Sequence, residues 1–384
     1  MSKITGNKNV ERYFYFFVLV VTGILLLPPV FRRFSCCGIR WVYILTVSAA
    51  ISFSLTPLCI RLARRFNALD IPDERKKHDH ATPLFGGAAI FLAFLAAIFI
   101  NGILNRVIGG ILGAALLVFV VGLADDVKGV SAIVKLLTQI VAVTIVVSHG
   151  VVLRVVPAQL GLFSQLTNLG LTFMWIVGIT NAMNFFDGMN GLAAGLGAMI
   201  AFFLTVVAYQ TGQPFVGWIG VAVMGSCLGF LPYNFRTKGK AFIFLGDAGS
   251  TFIGFILACI AVYGIWSVDN PVVALVSPVL IFWVLIFDMF YITIDRIAAG
   301  KVASLRQWLE YVGRDHLHHR LAAVLDSNVK SVLFILVLNG CLGISAVVLR
   351  HAGLLEAVLL LVQALLLVLM ISSLERYGRF FEKK

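Results

Sequence analysis

The chain has 384 residues, of which 60% are hydrophobic and only 12% are charged, and its formal net charge at pH 7 is +12. Soluble globular domains carry about 25% charged residues, so this composition excludes a water-soluble globular fold. The chain contains no basic soluble module, which argues against nucleic acid as a partner and favours anionic lipid headgroups or phosphate-bearing substrates.

Apolar runs of about 20 residues, the length that a helix needs to cross a bilayer, recur along the whole chain. They predict an all-α polytopic membrane protein with about 11–12 transmembrane helices. The predicted spans are 12–30, 41–60, 83–104, 107–124, 131–149, 166–183, 191–209, 214–232, 248–267, 272–294, 331–350 and 353–373. The first span could instead be a cleaved signal sequence, but Pro28-Pro29 followed by Arg32-Arg33 does not resemble a small-residue cleavage site.

The distribution of charge predicts the orientation and the face that carries the chemistry. Twelve spans place both termini on one side, and most of the 30 Lys and Arg residues lie on that side, which the positive-inside rule makes cytoplasmic. Of the 18 Asp and Glu residues, only Asp269 and Glu356 lie near the opposite side. Solvated loops would explain the basic residues but not the acidic ones, because acids contribute little to topology. A functional site at the cytoplasmic face is therefore predicted.

The first cytoplasmic segment with candidate chemistry is 70–87. It contains Arg75, Lys77 and His78, which could hold a phosphate, and it ends in Gly86-Gly87, which permits close backbone approach. A basic loop beside a membrane span is common, so this segment is only suggestive.

The second segment contains the adjacent carboxylates Asp125 and Asp126, followed by Lys135. Adjacent acids at a membrane boundary are costly unless they are paired or bind a metal. They cannot point the same way on a helix, so one could serve a reaction while the other makes structural contacts. Lys135 lies near the start of the next span, where its ammonium could bind a lipid phosphate.

The third segment is the turn that contains Asn184, Asp187 and Asn190, with glycines at 188 and 191. A polar turn between two helices is the simpler interpretation. The density of oxygen donors favours a site for a hard cation such as magnesium.

The fourth segment places Asp247 at the start of a span, where it could be a helix cap or could help to bind phosphate at the helix N-terminus.

The fifth segment is rich in cationic and imidazole side chains. It contains Arg314, His316, His318 and His319. Zinc is one interpretation, but no Cys or second His group completes four ligands. A clamp for a sugar diphosphate fits better, since Arg binds phosphate in bidentate fashion.

These five segments, in this order between these spans, resemble the polyprenyl-phosphate N-acetylhexosamine-1-phosphate transferase family, and in particular its bacterial undecaprenyl-phosphate GlcNAc-1-phosphate transferase branch. The resemblance covers 41–373, so 1–40 is expected to be an extra N-terminal helix and loop, and 374–384 a basic cytoplasmic tail. It implies a multi-pass enzyme of the bacterial inner membrane with a cytoplasmic active site, and a homodimer is compatible with it.

The resemblance also implies a reaction that initiates the synthesis of a cell-surface glycan. N-acetylhexosamine-1-phosphate, most simply GlcNAc-1-phosphate, moves from a UDP-sugar to polyprenyl phosphate, and UMP leaves. Mg²⁺ is the expected cofactor, with Mn²⁺ as a substitute. The implied roles are metal binding by Asn184 and Asp247, acceptor contact or deprotonation by Asp125 or Asp126, acceptor phosphate binding by Lys135, and donor contacts by Asp187, Asn190, Arg314, His316, His318 and His319.

One region departs from the family pattern and keeps alternatives open. The Gly-Arg-Ser-Pro-like stretch before the histidines is absent between Asp295-Arg296 and Asp315, so the sugar is uncertain. A phospho-N-acetylmuramoyl-pentapeptide transferase is the near alternative. A multi-pass transporter is the alternative from another class, and Asp288 is the one acid deep in a span that would suit it.

Overall fold

Apolar helices make up almost all of the protein, as a computed structural model shows. The structure describes residues 8–70, 81–237, 240–267, 270–302, 307, 313, 315–349 and 353–382. Within these residues, eight helices are long and apolar enough to cross a membrane, or up to ten if each of two bent pairs forms one span, and two shorter apolar helices accompany them. The predicted all-α polytopic fold is confirmed.

Apart from the first span, the helices of the first half follow the predicted spans closely. They are α1 (Lys8–Leu25), α2 (Pro28–Cys36), α3 (Arg40–Arg65), α4 (Gly86–Ile100), α5 (Arg106–Lys128), α6 (Ala132–Ser148), α7 (Gly161–Phe185) and α8 (Leu192–Gln210). A two-stranded antiparallel ladder, β1 (Leu69–Asp70) with β2 (Thr82–Pro83), lies between α3 and α4.

The helices of the second half include the one that ends before the histidine segment and the one that begins within it. The helices are α9 (Pro214–Asn234), α10 (Gly246–Tyr263), α11 (Pro271–Ile281), α12 (Trp283–Ala298), α13 (Leu317–Leu325), α14 (Asn328–Val348) and α15 (Leu354–Glu382). Helix α13 lies within a stretch that had been expected to be a loop.

Two predicted spans are wrong as single straight helices. The span 12–30 is divided between α1 and α2, which meet at a bend of 71°, and 272–294 is divided between α11 and α12 at a bend of 78°. Pro28 and Pro29 begin α2 because proline suits the first turn of a helix but cannot continue one. In α11, Pro278 removes a backbone donor just before the break at Phe282.

Helix α10 occupies the centre of the bundle, and nearly all of its residues are buried. Gly87 of α4 and Gly122 of α5 allow this position, since a Cβ atom at either residue would collide with the backbone of α10. Phe91 of α4 stacks on Phe119 of α5 with ring centroids 4.1 Å apart and meets Phe252 of α10 edge-on at 5.0 Å. The three helices therefore form one packed unit.

The segment before α10 is fixed by backbone hydrogen bonds to the start of α4. Phe244 N donates to Pro83 O at 2.8 Å, and Gly86 N and Gly87 N donate to Phe244 O and Leu245 O at 3.1 and 2.7 Å. These bonds set the position of the N-terminus of α10.

The division of the chain at residues 40 and 373 stays a prediction.

Candidate active site

The N-terminus of α10 is the point at which the predicted acidic residues meet. Asp126, in the last turn of α5, accepts hydrogen bonds from Asp247 N at 2.7 Å and Ala248 N at 3.2 Å. Its two carboxylate oxygens thus satisfy the free amides that begin a helix and lie at the positive end of the helix dipole. Asp126 is a capping group supplied by a neighbouring helix.

Asp125 points to a different partner, as expected for adjacent residues on a helix. Lys135 Nζ of α6 lies 2.9 Å from Asp125 Oδ2 and 2.8 Å from Asp247 Oδ2, so one ammonium bridges the two carboxylates. The other oxygen of Asp125 accepts a hydrogen bond from Val130 N. All three charged side chains are partly exposed, with side-chain exposures of 26% for Lys135, 15% for Asp125 and 31% for Asp247. A ligand can therefore reach them.

The turn after α7 lies next to this cluster. Asn184 Nδ2 donates to Ser250 Oγ of α10 at 2.9 Å. Asp187 lies in a 3₁₀ turn, Phe186–Gly188, where the charges of Asp247 and Asp126 act on its carboxyl group. Asn190 is exposed beyond this turn. The oxygen donors predicted from the third segment therefore lie beside those of the second and fourth.

Asn234 at the end of α9 holds the far side of this turn. Its side chain accepts a hydrogen bond from Gly191 N at 2.6 Å and donates to Ile243 O at 2.9 Å. Gly191 has φ = 82°, a left-handed conformation that favours glycine. One amide thus joins the turn after α7 to the segment that leads into α10.

The histidine segment is anchored by Asp288 of α12. His316 Nδ1 lies 2.8 Å from Asp288 Oδ2, and Leu317 N donates to Asp288 Oδ1 at 2.8 Å. When Asp288 is ionised its carboxylate only accepts hydrogen bonds, so the proton of this contact lies on Nδ1 of His316. The ring of His316 also stacks on Phe185 at the end of α7, with centroids 5.1 Å apart.

His318 joins the histidine segment to the turn after α7. Its side chain is fully buried, its ring lies 5.4 Å from that of Phe186, and a Cβ atom at Gly188 would lie only 2.5 Å from its Nε2. Neither ring nitrogen has a hydrogen-bond partner within the described part of the chain. Burial, followed by the nearby His319, His316 and Arg320, lowers the pKa of His318 well below 6.5, so the ring is neutral. Buried, unpartnered nitrogens of this kind suit a ligand.

An ion pair fixes the chain just before His316. Arg296 of α12 donates from Nε and Nη2 to the two oxygens of Asp315 at 2.8 and 2.7 Å. Burial opposes ionisation, but this bidentate pairing outweighs it and holds the pKa of Asp315 below its usual value. Asp288 and Arg296 together attach the histidine segment to α12.

The chain resembles known transferases over most of its length. Residues 108–265 match the model of glycosyl transferase family 4. The chain is 35% identical over 320 residues to a probable undecaprenyl-phosphate N-acetylglucosaminyl 1-phosphate transferase of Bacillus subtilis, which covers 82% of this chain and 86% of that protein. It is 32% identical over 358 residues to a decaprenyl-phosphate N-acetylglucosaminephosphotransferase of Mycobacterium leprae, covering 85% and 87% of the two chains.

The chain belongs to the polyprenyl-phosphate N-acetylglucosamine-1-phosphate transferase family.

A phospho-N-acetylmuramoyl-pentapeptide-transferase of Prochlorococcus marinus is more distant, at 29% identity over 272 residues and with 64% of this chain and 73% of that protein covered. The predicted family and branch are thus confirmed. The transporter alternative loses its main support, because Asp288, the acid deep in a span, is used to hold His316.

The donor set of this family member suits magnesium. Within the described residues, no group of three or more His, Cys, Asp or Glu side chains forms a metal cage by itself. Magnesium does not need one, because it is usually held by one or two carboxylates, substrate phosphates and water. The Asp247 carboxylate and the Asn184 amide oxygen are donors of the right type and are near neighbours, as Asn184 bonds Ser250 one turn after Asp247.

Some site residues were missed in the sequence, and some lie outside the described residues. Arg75, Lys77, His78 and Arg314 belong to the latter group. Ser250 and the pairing of Asp288 with His316 were missed, although an acid in the middle of an apolar span signals a polar partner. Their partners are 66 and 28 residues away in sequence, which no local pattern reveals.

Proposed function

We propose that this protein transfers N-acetylglucosamine-1-phosphate from UDP-GlcNAc to a polyprenyl phosphate such as undecaprenyl phosphate. The acceptor phosphate oxygen would form a bond to the β-phosphorus of the donor while the bond from that phosphorus to the UMP oxygen breaks, so UMP leaves. The observation that carries the proposal is the Lys135 ammonium between Asp125 and Asp247 at the N-terminus of α10, in a chain of this family. Ammonium groups and helix N-termini both attract phosphates.

Asp125 and Lys135 would handle the acceptor. Asp126 is less suited to this role, because both of its oxygens already accept backbone N–H bonds. A phosphate monoester has its second pKa near about 6 and is mostly dianionic at neutral pH, so a strong base is not required. Lys135 would hold the phosphate, and Asp125 would orient the ammonium or accept a residual proton. A direct single displacement follows, and a trapped aspartyl-phosphate would contradict it.

Asp247 and Asn184 would hold Mg²⁺, or Mn²⁺ in its place, with Asp187 nearby. The bound ion would neutralise charge on the donor diphosphate and on the leaving UMP. The chain's own contribution is to keep these oxygen donors beside the acceptor-binding ammonium, since phosphoryl transfer depends mainly on positioning and charge neutralisation.

The histidine segment would bind the sugar and diphosphate of the donor. Asp288 would keep His316 in one tautomer and orientation, and neutral His318 could donate from one nitrogen and accept at the other. Arg314, His319, Asn190 and the basic residues Arg75, Lys77 and His78 stay predicted contacts. The absence of the Gly-Arg-Ser-Pro-like stretch makes the sugar the least constrained part of the proposal.

The proposed location is the bacterial inner membrane, with the site on the cytoplasmic side. The excess of Lys and Arg on that side supports this orientation. A homodimer is compatible with the family and forms no part of the mechanism.

The test is release of UMP by the purified protein with undecaprenyl phosphate, Mg²⁺ and a panel of UDP-N-acetylhexosamines and UDP-N-acetylmuramoyl-pentapeptide. We expect UMP only when acceptor, metal and UDP-GlcNAc are all present. Release with the pentapeptide donor alone would favour the more distant branch. Failure to release UMP with any donor of the panel would contradict the proposed function.

A further inference from the structure

A pair of amide side chains joins α6 to α7 just below the proposed site. Asn181 Nδ2 donates to Gln139 Oε1 at 2.6 Å, and Gln139 Nε2 donates to Asn181 Oδ1 at 3.4 Å. Asn181 Nδ2 also donates to Val177 O in its own helix at 2.8 Å. Gln139 is only 3% exposed. Gln139 is therefore buried and Asn181 half-buried in membrane helices, and the two amides satisfy each other.

The position of this pair relates it directly to two site residues. Gln139 follows Lys135 by four residues on α6, and Asn181 precedes Asn184 by three residues on α7. Residues at these spacings share one helix face and lie about one turn, or about 5.4 Å, apart along the axis. The amide pair therefore joins the helix of the proposed acceptor-binding ammonium to the helix of the proposed metal-binding amide.

Helix α6 has few other polar attachments. Along α6, all of which the structure describes, the side-chain hydrogen bonds to other helices come from Lys135 and Gln139. The hydroxyls of Thr138, Thr144 and Ser148 donate within α6 itself. Its outer face carries exposed apolar side chains such as Leu137 and Val141, which suit lipid. Of the two side chains that join α6 to other helices by hydrogen bonds, Gln139 is thus the one that does so without a charged group of the site.

A small gap separates this part of α6 from its other neighbours. A cavity of about 10 Å³, about the size of one water molecule, is lined by Lys135 and Gln139 of α6, Gly122 of α5 and Thr251 of α10. Contacts across this gap are incomplete, so they restrain α6 less than close packing would. The amide pair adds a side-chain attachment to α7 beside this gap.

We propose that the Gln139–Asn181 pair is a positioning element that keeps Lys135 in register with Asn184 while the Lys135 ammonium exchanges carboxylate partners for the acceptor phosphate. The inference rests on the proposed function. In the structure, Lys135 is bound to both Asp125 and Asp247. When a phosphate takes over that ammonium, α6 loses its charged attachment to α5 and α10, and the amide pair remains as its side-chain hydrogen bond to another helix. Displacements of about 1 Å at a reacting centre cost about 100-fold in rate.

The experiment compares steady-state UMP release by the full-length protein in nanodiscs for Gln139→Asn, Asn181→Gln and the double variant that exchanges the two residues. Each single variant keeps two amides, but the combined length of the two side chains differs from that in the unaltered protein. The double variant restores that combined length. We expect each single change to lower kcat by about 10-fold, with the KM for UDP-GlcNAc changed by less than about 3-fold, and the double variant to recover most of the loss. Thr144→Val is the matched control, because the Thr144 hydroxyl bonds only within α6.

Each outcome decides between positioning and simple stabilisation. A pair that only stabilised the fold would lower the melting temperature of the single variants but leave kcat of the folded protein unchanged, which would overturn the inference. A loss of kcat that the double variant does not recover would overturn it too. If the unaltered protein releases no UMP, the proposed function fails and the inference falls with it. Normal release by the unaltered protein and by all three variants overturns the inference alone.

Discussion

The two sides of the proposed site are held together in different ways. On the carboxylate side, Asp125, Lys135 and Asp247 hold one another through ion pairs that an incoming phosphate or cation would have to rearrange. On the histidine side, Asp288 holds His316 and the backbone of Leu317, and these contacts have no reason to change when a ligand binds. On the first side, one ammonium partly neutralises two carboxylates until ligands replace these contacts, whereas the contacts of the second side stay fixed. Substitutions that change a charge should therefore impair the carboxylate side most, and substitutions that alter the orientation of a side chain should impair the histidine side most.

The largest effect is expected at Asp247, where the two roles of the carboxylate side coincide. Asp247→Asn keeps the size of the side chain but removes the charge that Lys135 and a cation would share. We expect kcat for UMP release to fall by about 10²–10³-fold. Asp326→Asn is the control, because Asp326 ends α13 away from these groups. Retention of most activity by Asp247→Asn would mean that the cation is held elsewhere.

A smaller loss is expected on the histidine side from Asp288→Asn. The amide can still accept the Leu317 N–H bond, but it no longer offers a carboxylate to fix the His316 tautomer. We expect kcat to fall by about 10–100-fold while the protein stays folded. The measurement is UMP release at several pH values, and a tautomer effect should change the shape of the pH profile. A uniform loss at every pH would instead indicate a purely steric role.

Replacement of Asp126 should lower the stability of the fold more than the rate of the reaction. This result would distinguish the role of Asp126 from that of Asp125. Asp126→Ala leaves the amides of Asp247 and Ala248 without their cap, and loss of a cap costs about 1–2 kcal/mol. We expect a lower melting temperature in detergent for Asp126→Ala and a smaller decrease for Asp125→Ala, which loses its contacts with Lys135 and Val130 N. The opposite order would assign the structural role to Asp125.

The smallest effect concerns acid sensitivity on the histidine side. The pKa of His318 is lowered in the folded protein, so as pH falls below 6.5 the unfolded chain takes up a proton that the folded protein does not. Stability contributed by the neutral ring is therefore present above 6.5 and declines below it, by at most about 1.4 kcal/mol per pH unit. We expect the melting temperature to fall between pH 7 and 5, and to fall less for His318→Gln. Equal slopes would indicate that the ring is protonated in the folded state.

Much of the fold and the composition of the site follow from local sequence. Apolar length predicted the spans, and the rule that adjacent residues diverge on a helix predicted separate roles for Asp125 and Asp126. Which of the two caps α10 depends on how α5 and α10 pack, which local sequence does not encode. The bend at Phe282 was missed because the apolar run continues through it, although Pro278 is a local signal.

The partners across the site were beyond local inference for a related reason. His316 finds Asp288 only because α12 turns away from α11 and brings its acid to the histidine segment. No local pattern singles out Gln139 as the partner of Asn181, although two amides in separate apolar helices have a physical reason to pair. Helix α13 was missed because it is only nine residues long and begins among histidines.

The glycines around α10 have a consequence for how the protein can vary. Gly87 and Gly122 bring the backbones of α4 and α5 directly against the helix end that carries Asp247. Any side chain at either position would push that end out of place, whereas lipid-facing positions such as Leu137 can accept many apolar residues. Natural variation should therefore accumulate at lipid-facing positions such as those on the outside of α6. An inhibitor that depends on the N-terminus of α10 would offer the protein very few ways to escape it.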